Sequence, residues 1–106
     1  MEEEIKKFAE VEAKRIEKLF GKSNDEMILV DAVKLSEEVG EVMNEILNYL
    51  RLQRKEKLDN KEKVKENLAS ELADIVLVSN IIAKRTGIDL FASLKNKMDV
   101  VKRRDY

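Results

Sequence analysis

Length, composition and charge already exclude several classes of protein. The chain has 106 residues, with 21 Lys and Arg, 22 Asp and Glu and a net charge of −1, which fits one domain over residues 1–106 and argues against a nucleic-acid surface. It contains no cysteine and no histidine, which excludes disulfide bonds, thiolate zinc sites, the serine-hydrolase triad and the Glu-x-x-His motif of di-iron bundles.

Two segments bear on where the protein works. The first residues, "MEEEIKK", are acidic and lack the apolar core of a secretory signal. The most apolar window, "DIVLVSNIIA", is shorter than the ~20 residues that a membrane-spanning helix needs. We therefore expect a cytoplasmic protein without a membrane segment.

The first half of the chain predicts two helices. Apolar residues recur at helical spacing over residues 2–20, and Gly21 ends this pattern. Ser23, with Glu26 three residues later, forms a capping-box signature. The second helix is predicted from there, over residues 24 to about 54.

The second half of the chain predicts two more helices. A cap at Asp59 or Asn60 begins a third helix, from about 60 to 86, and Gly87 is suited to its end. Asp89 is suited to cap a fourth helix, "LFASLKNKMDVVKRR". The chain has no proline and no strand-like alternation, so the predicted fold class is all-α.

The second helix carries acids beside a wide apolar stripe. At 100° per residue, Glu41 and Glu45 lie on the same side as Glu38, and Lys34 is placed to pair with Glu38 at i,i+4. Because the apolar stripe covers about half the circumference, it predicts packing against a second subunit, with Gly40 allowing close approach. The stripe includes Leu29, Ala32, Val33, Met43, Leu47 and Leu50.

The third and fourth helices carry charges on their apolar faces. Glu71 lies in the middle of the apolar face of the third helix, with Asp74 and Asn67 beside it. A buried lone carboxylate costs several kcal/mol unless it is paired or bound to a metal. Lys97 and Arg104 share the apolar stripe of the fourth helix.

Three explanations for these charges remain open at this point. One is a core ion pair, such as Glu71 with Lys97, and another is that some acids, such as Glu37 and Glu45, lie on solvated faces. The third is a divalent-metal site, which in a chain without histidine or cysteine favours Mg²⁺, with Mn²⁺ as a substitute. The four acids of such a site would be Glu38, Glu41, Glu71 and Asp74.

The acidic segments resemble a known family. "KLSEEVGEV" followed by "ELADI" is similar to the E-E-x-x-E … E-x-x-D signature of MazG-like nucleoside triphosphate pyrophosphohydrolases, and "RTGIDLFASLKNKMDVVKRR" extends the likeness over roughly residues 30–104. The resemblance implies a four-helix MazG-like bundle completed by homo-oligomerisation, as a homodimer or homotetramer. It also implies Mg²⁺-dependent hydrolysis of nucleoside or deoxynucleoside triphosphates to the monophosphate and pyrophosphate, by attack of water on the α-phosphorus.

The resemblance also assigns roles to individual residues. It makes Glu37 an additional acid, either a weak metal ligand or the base that orients the water, and Glu38 a further candidate for the base. It places Lys97 and Arg104 near the phosphates, with Lys97 also neutralising charge during the reaction. Asn67, beside Glu71, is a candidate for contact with base or sugar. The metal ligands it implies are Glu38, Glu41, Glu71 and Asp74.

The substrate and the activity have alternatives. The stretch 42–70 between the motifs is longer than in the shortest members, and the base-binding region has neither Trp nor His, so base preference stays open. Phosphoribosyl-ATP pyrophosphohydrolases share the signature. A non-catalytic helical interaction module, or a nucleotide-binding module, with structural acid clusters is the alternative to an enzyme.

Overall fold

The computed structural model describes residues 1–52 and 60–104. Over these residues the chain forms helices and no strand, which confirms the predicted all-α class. The four helices are α1 Glu2–Phe20, α2 Asn24–Tyr49, α3 Lys61–Thr86 and α4 Leu90–Lys102. None of them is long and apolar enough to cross a membrane.

The predicted caps start the helices where expected. Ser23 Oγ accepts a hydrogen bond from the Glu26 amide at 3.2 Å, and Glu26 Oε1 accepts one from the Ser23 amide at 3.0 Å. Asn60 caps α3 and Asp89 caps α4 through the same kind of side-chain acceptor. Asp59, the other predicted cap of α3, lies outside the described residues. The N-terminal ends are therefore encoded locally, by single side chains that satisfy free amide groups.

The end of α2 differs from the prediction. The helix was predicted to reach about residue 54, but it ends at Tyr49, and residues 53 and 54 lie outside the described part. Arg51 adopts a left-handed backbone with φ 62°, and the Leu52 amide donates to the Leu47 carbonyl at 2.8 Å. This hydrogen bond is typical of a helix C-terminus at which a glycine adopts the left-handed conformation. Because an arginine occupies that position here, the sequence does not indicate the helix end.

α3 is the central element and contacts both other long helices. α2 runs antiparallel to it, because Asp31 near the start of α2 meets Arg85 near the end of α3. On a different face of α3, Ile81 packs with Ala9 and Ala13 of α1. α4 contributes no buried residue. The described core is therefore small, and α4 lies at its edge.

A buried arginine joins three helices. The Arg85 side chain is fully buried and donates to Asp31 Oδ2 at 2.5 Å and to Glu17 Oε1 at 2.8 Å. It also donates to the Ala13 carbonyl at 3.2 Å, while Asn24 Nδ2 donates to the Arg85 carbonyl at 3.0 Å. We call these five residues the Arg85 network. It fixes α1 and α2 against the end of α3.

Candidate metal centre

α2 and α3 bring three carboxylates together. Glu38, Glu71 and Asp74 each present an oxygen, and these oxygens all lie within 4.8 Å of one another. Glu71 and Asp74 are three residues apart on α3, so both project from one face toward α2. We call these three residues the carboxylate cluster. Its members are those that the sequence predicted as ligands, except Glu41.

Glu38 is the buried member of the cluster. It is 5% exposed, and its Oε1 accepts a hydrogen bond from Lys34 Nζ at 3.1 Å, which confirms the predicted i,i+4 pair. Its other oxygen, Oε2, is buried without a hydrogen-bond partner. Hydrogen bonding with Glu71 and then with Lys34 lowers the pKa of Glu38. Glu38 is therefore held as a carboxylate with one oxygen left to bind a ligand.

Among the three acids of the cluster, Glu71 has a raised pKa. Hydrogen bonding with Glu38 and then with Glu41, together with burial, raises the pKa of the Glu71 carboxyl to about 8. Its Oε2 is buried and has no partner. Glu41 itself is exposed, but it acts on Glu71 from the next turn of α2. Without a cation, the cluster relieves its repulsion by keeping a proton on Glu71.

The donor set of the cluster suits a hard divalent cation. All three groups offer carboxylate oxygens, and Glu38 and Glu71 each have one oxygen that is buried without a partner. Mg²⁺ and Mn²⁺ prefer such ligands, and either ion would replace the shared proton as the compensating charge. The alternative ion pair of Glu71 with Lys97 is not formed in the described part of the chain, where Lys97 is exposed on α4.

The other predicted site residues lie outside the cluster. Glu37 is exposed on α2, and Lys97 and Arg104 are exposed on or just after α4. Asn67 is half-buried on α3, one turn before Glu71. The roles of these four residues remain predictions.

Two polar residues extend the cluster's face of α2. Glu45 Oε2 and Asn48 Oδ1 are both buried without hydrogen-bond partners. The suggestion that Glu45 lies on a solvated face is wrong, because the packing of α2 on α3 half-buries it. The spacing of Glu38, Glu41, Glu45 and Asn48 places them on one face, and that spacing was the available signal for Asn48.

A cavity of about 500 Å³ lies elsewhere, between α1, α3 and α4. No member of the carboxylate cluster lines it. Asn80, in the cavity wall, is half a turn around α3 from Glu71. Lys6, one of three lysines that line the cavity, has its Nζ 4.0 Å from Asp89 Oδ1. The cavity therefore belongs to the opposite face of α3 from the cluster.

The fold and the cluster together define a class: all-α proteins that gather carboxylates from two antiparallel helices. A family model, the MazG nucleotide pyrophosphohydrolase domain, matches residues 30–106. This is more than half of the chain, so the chain belongs to the MazG family, and the predicted resemblance is confirmed. Comparison with curated proteins and with solved structures gives no match.

Proposed function

We propose that this protein hydrolyses nucleoside or deoxynucleoside triphosphates to the monophosphate and pyrophosphate with the help of Mg²⁺. The observation that carries the proposal is the carboxylate cluster, whose buried oxygens on Glu38 and Glu71 lack partners in a chain of the MazG family. Asp74 completes the ligand set, and Glu41 joins it from the next turn of α2. The cluster alone is acidic, so a triphosphate requires a cation between it and these carboxylates.

Bound Mg²⁺ supplies charge for the phosphate oxygens and lowers the pKa of a water molecule. The residues divide the remaining work. Glu38, held by Lys34, orients its free oxygen, and Glu37, Glu38 or Glu41 accepts the proton of the attacking water. The water oxygen bonds to the α-phosphorus, the bond to the bridging oxygen breaks, and pyrophosphate leaves. Lys97 and Arg104 neutralise the developing negative charge.

The position of α4 bears on how Lys97 and Arg104 act. Because α4 contributes no buried residue, we propose that its basic residues approach the phosphates when α4 packs further or when another subunit presents it. We therefore include a homodimer or homotetramer in the proposal. Asn67, one turn from Glu71, is placed to contact the sugar or base.

The decisive experiment measures pyrophosphate release from a panel of NTPs and dNTPs, with Mg²⁺, with Mn²⁺ and with EDTA. We expect turnover with either ion and none with EDTA. Glu71→Gln keeps the shape of the side chain but removes its charge, and we expect it to lower turnover by roughly 100-fold or more. Glu66→Gln, at an exposed glutamate on the same helix, is the matched control and should keep wild-type turnover.

Two outcomes would overturn this proposal. Near wild-type turnover of Glu71→Gln would remove the metal role of the cluster. Mg²⁺-dependent binding of a triphosphate without pyrophosphate release from any member of the panel would instead indicate the nucleotide-binding module.

A further inference from the structure

Among the residues that the structure describes, all buried side-chain oxygens without a hydrogen-bond partner lie on α2 and α3. They belong to Glu38, Glu45, Asn48 and Glu71. Glu38 and Glu71 are members of the carboxylate cluster, where a bound cation would compensate them. Neither the cluster nor the Arg85 network accounts for Glu45 Oε2 and Asn48 Oδ1. Because a buried acceptor without a partner is unfavourable, these two atoms indicate a ligand.

Glu45 and Asn48 continue the face of α2 that carries the cluster. At 100° per residue, both lie within about 80° of Glu38 around the helix. At a rise of 1.5 Å per residue, they lie about 10 and 15 Å from Glu38 along the axis, toward the end of α2. Asn48 is only 6% exposed, so its amide is fixed by packing. We call Glu45 and Asn48 the acceptor pair.

The acceptor pair lies at the distance from the cluster that suits a base. When the phosphates of a nucleotide lie at the cation, the sugar and then the base extend away from it. The axial separation of Glu45 from Glu38 is comparable with that between the α-phosphorus and the far edge of the base in an extended nucleotide. Because α3 is antiparallel to α2, Asn67, one turn before Glu71, lies at the same end of the site.

The charge of Glu45 favours a base over a phosphate or a cation. A carboxylate repels phosphate, so Glu45 suits the uncharged part of a nucleotide. Among the described residues, the acids whose oxygens gather within 4.8 Å do not include Glu45, so it is not placed to share the cation. The ligand that fits the acceptor pair is therefore a neutral group that donates hydrogen bonds.

We propose that the acceptor pair selects guanine, with Glu45 Oε2 accepting from N1–H and Asn48 Oδ1 from the 2-amino group. The proposal rests on the proposed function, because the cluster must hold a triphosphate to bring a base here. Both orphaned atoms are oxygens, and an ionised carboxylate accepts hydrogen bonds without donating any. Guanine is the common base that offers two adjacent donors on its Watson–Crick edge.

The other bases leave part of the acceptor pair unsatisfied. Adenine and cytosine offer one amino group beside a ring nitrogen that is itself an acceptor. Uracil and thymine offer one N–H between two carbonyl oxygens. A site whose buried polar groups stay unpaired with the wrong ligand discriminates strongly against it. We therefore expect kcat/KM for GTP and dGTP to exceed that for the other triphosphates by roughly 10-fold or more.

A binding measurement tests the base preference without relying on turnover. In α,β-methylene triphosphates a carbon replaces the bridging oxygen at which the bond to the α-phosphorus would break. Isothermal titration calorimetry with Mg²⁺ should give a dissociation constant for the guanosine analogue roughly 10-fold or more below that for the adenosine analogue. Inosine triphosphate lacks only the 2-amino group of GTP, so its kcat/KM should fall below that of GTP.

Two variants test the acceptor pair itself. Glu45→Gln keeps the shape of the side chain but replaces a charged acceptor by an amide, and we expect the GTP to ATP ratio of kcat/KM to fall by roughly 10-fold. Asn48→Leu removes the other acceptor at similar volume and should lower this ratio less, since hydrogen bonds between neutral groups are weaker. Glu66→Gln, at an exposed glutamate of α3, is the matched control and should keep the wild-type ratio.

The ratio separates base recognition from damage to the fold or to the metal site, because such damage lowers turnover of GTP and ATP alike. Equal affinity of the wild type for the guanosine and adenosine analogues would overturn the proposal. A wild-type ratio in both Glu45→Gln and Asn48→Leu would overturn it too. Guanine-selective binding without pyrophosphate release would support the acceptor pair and overturn only the proposed hydrolysis, while equal turnover of all bases would do the reverse.

Discussion

The Arg85 network and the carboxylate cluster are both built between α2 and α3, but they balance charge differently. In the network, one buried guanidinium donates to the carboxylates of Asp31 and Glu17, and both interactions are 2.8 Å or shorter. In the cluster of three acids, Lys34 pairs with Glu38 alone, and oxygens on two of the acids, Glu38 and Glu71, have no partner. Both sites lie along the contact between α2 and α3, so the burial of their acids does not distinguish one site from the other.

The difference teaches how to separate a structural charge from a functional one. A buried acid whose charge is matched by the chain is part of the fold, because the cost of burial is already offset. A buried acid with an unpaired oxygen is compensated only by a proton or by a ligand. The two sites should therefore respond in opposite ways to substitution, to pH and to Mg²⁺.

The largest effect should come from breaking the network. Arg85→Ala leaves Asp31 and Glu17 without their partner, and we expect it to lower the free energy of unfolding by about 3–5 kcal/mol. Urea denaturation measures this at a fixed protein concentration. Lys84→Ala, at the exposed neighbouring residue, is the control and should change stability by less than about 0.5 kcal/mol. Equal effects of the two substitutions would show that the network is not structural.

Adding Mg²⁺ should come next in size and should act on the cluster. At a Mg²⁺ concentration about 100 times the dissociation constant, a site present only in the folded state adds about 2.7 kcal/mol. Thermal melting with Mg²⁺ and with EDTA measures the shift. Asp74→Asn, which removes one charged ligand, should lose most of it, and Glu66→Gln should retain it. A full Mg²⁺ shift in Asp74→Asn would place the ion elsewhere.

A further effect on the cluster is expected from pH in the absence of metal. The pKa of Glu71 is raised from 4.5 to about 8, so between these values the folded state binds more protons than the unfolded state. Stability therefore decreases as pH rises through this range. Denaturation in EDTA from pH 5 to 8.5 should show the decrease in wild type and not in Glu71→Gln, in which no proton titrates at this position. The same slope in both proteins would assign it to other groups.

The smallest effect should come from Lys34. Its side chain is 58% exposed, and such i,i+4 pairs contribute about 0.3–0.5 kcal/mol. Lys34→Ala should therefore lower stability by no more than this amount in EDTA, with Lys14→Ala as the control on α1. A loss of several kcal/mol would show that Lys34 compensates the cluster as strongly as Arg85 compensates the network.

The sequence predicted the parts that depend on one helix at a time. Caps at Ser23 and Asn60 set helix starts, and angular position placed Glu38 toward the helix that carries Glu71 and Asp74. The Arg85 network was not predicted, because its members lie on different helices. In a chain with 41% charged residues, Arg85 is indistinguishable in sequence from any base near a helix end.

The features that could not be predicted from the sequence depend on backbone conformation outside the helices or on contacts between helices. The early end of α2 depends on a left-handed conformation at Arg51, which a glycine would have signalled. The exposure of Lys97 accompanies an α4 without a fully buried residue, and periodicity along one helix does not report this. The register of α2 on α3 is likewise a property of two surfaces together.

The Arg85 network has a second consequence: its contact between Arg85 and Asp31 fixes how α2 and α3 are aligned along their axes. Asp31 lies seven residues before Glu38 on α2, and Arg85 lies fourteen after Glu71 on α3, so one pair fixes the axial position of the other. A slip of α3 by one helical turn, about 5.4 Å, exceeds the 4.8 Å within which the cluster's oxygens gather. Arg85, which lies outside the proposed site, thus sets the alignment of the acids that are proposed to hold the cation.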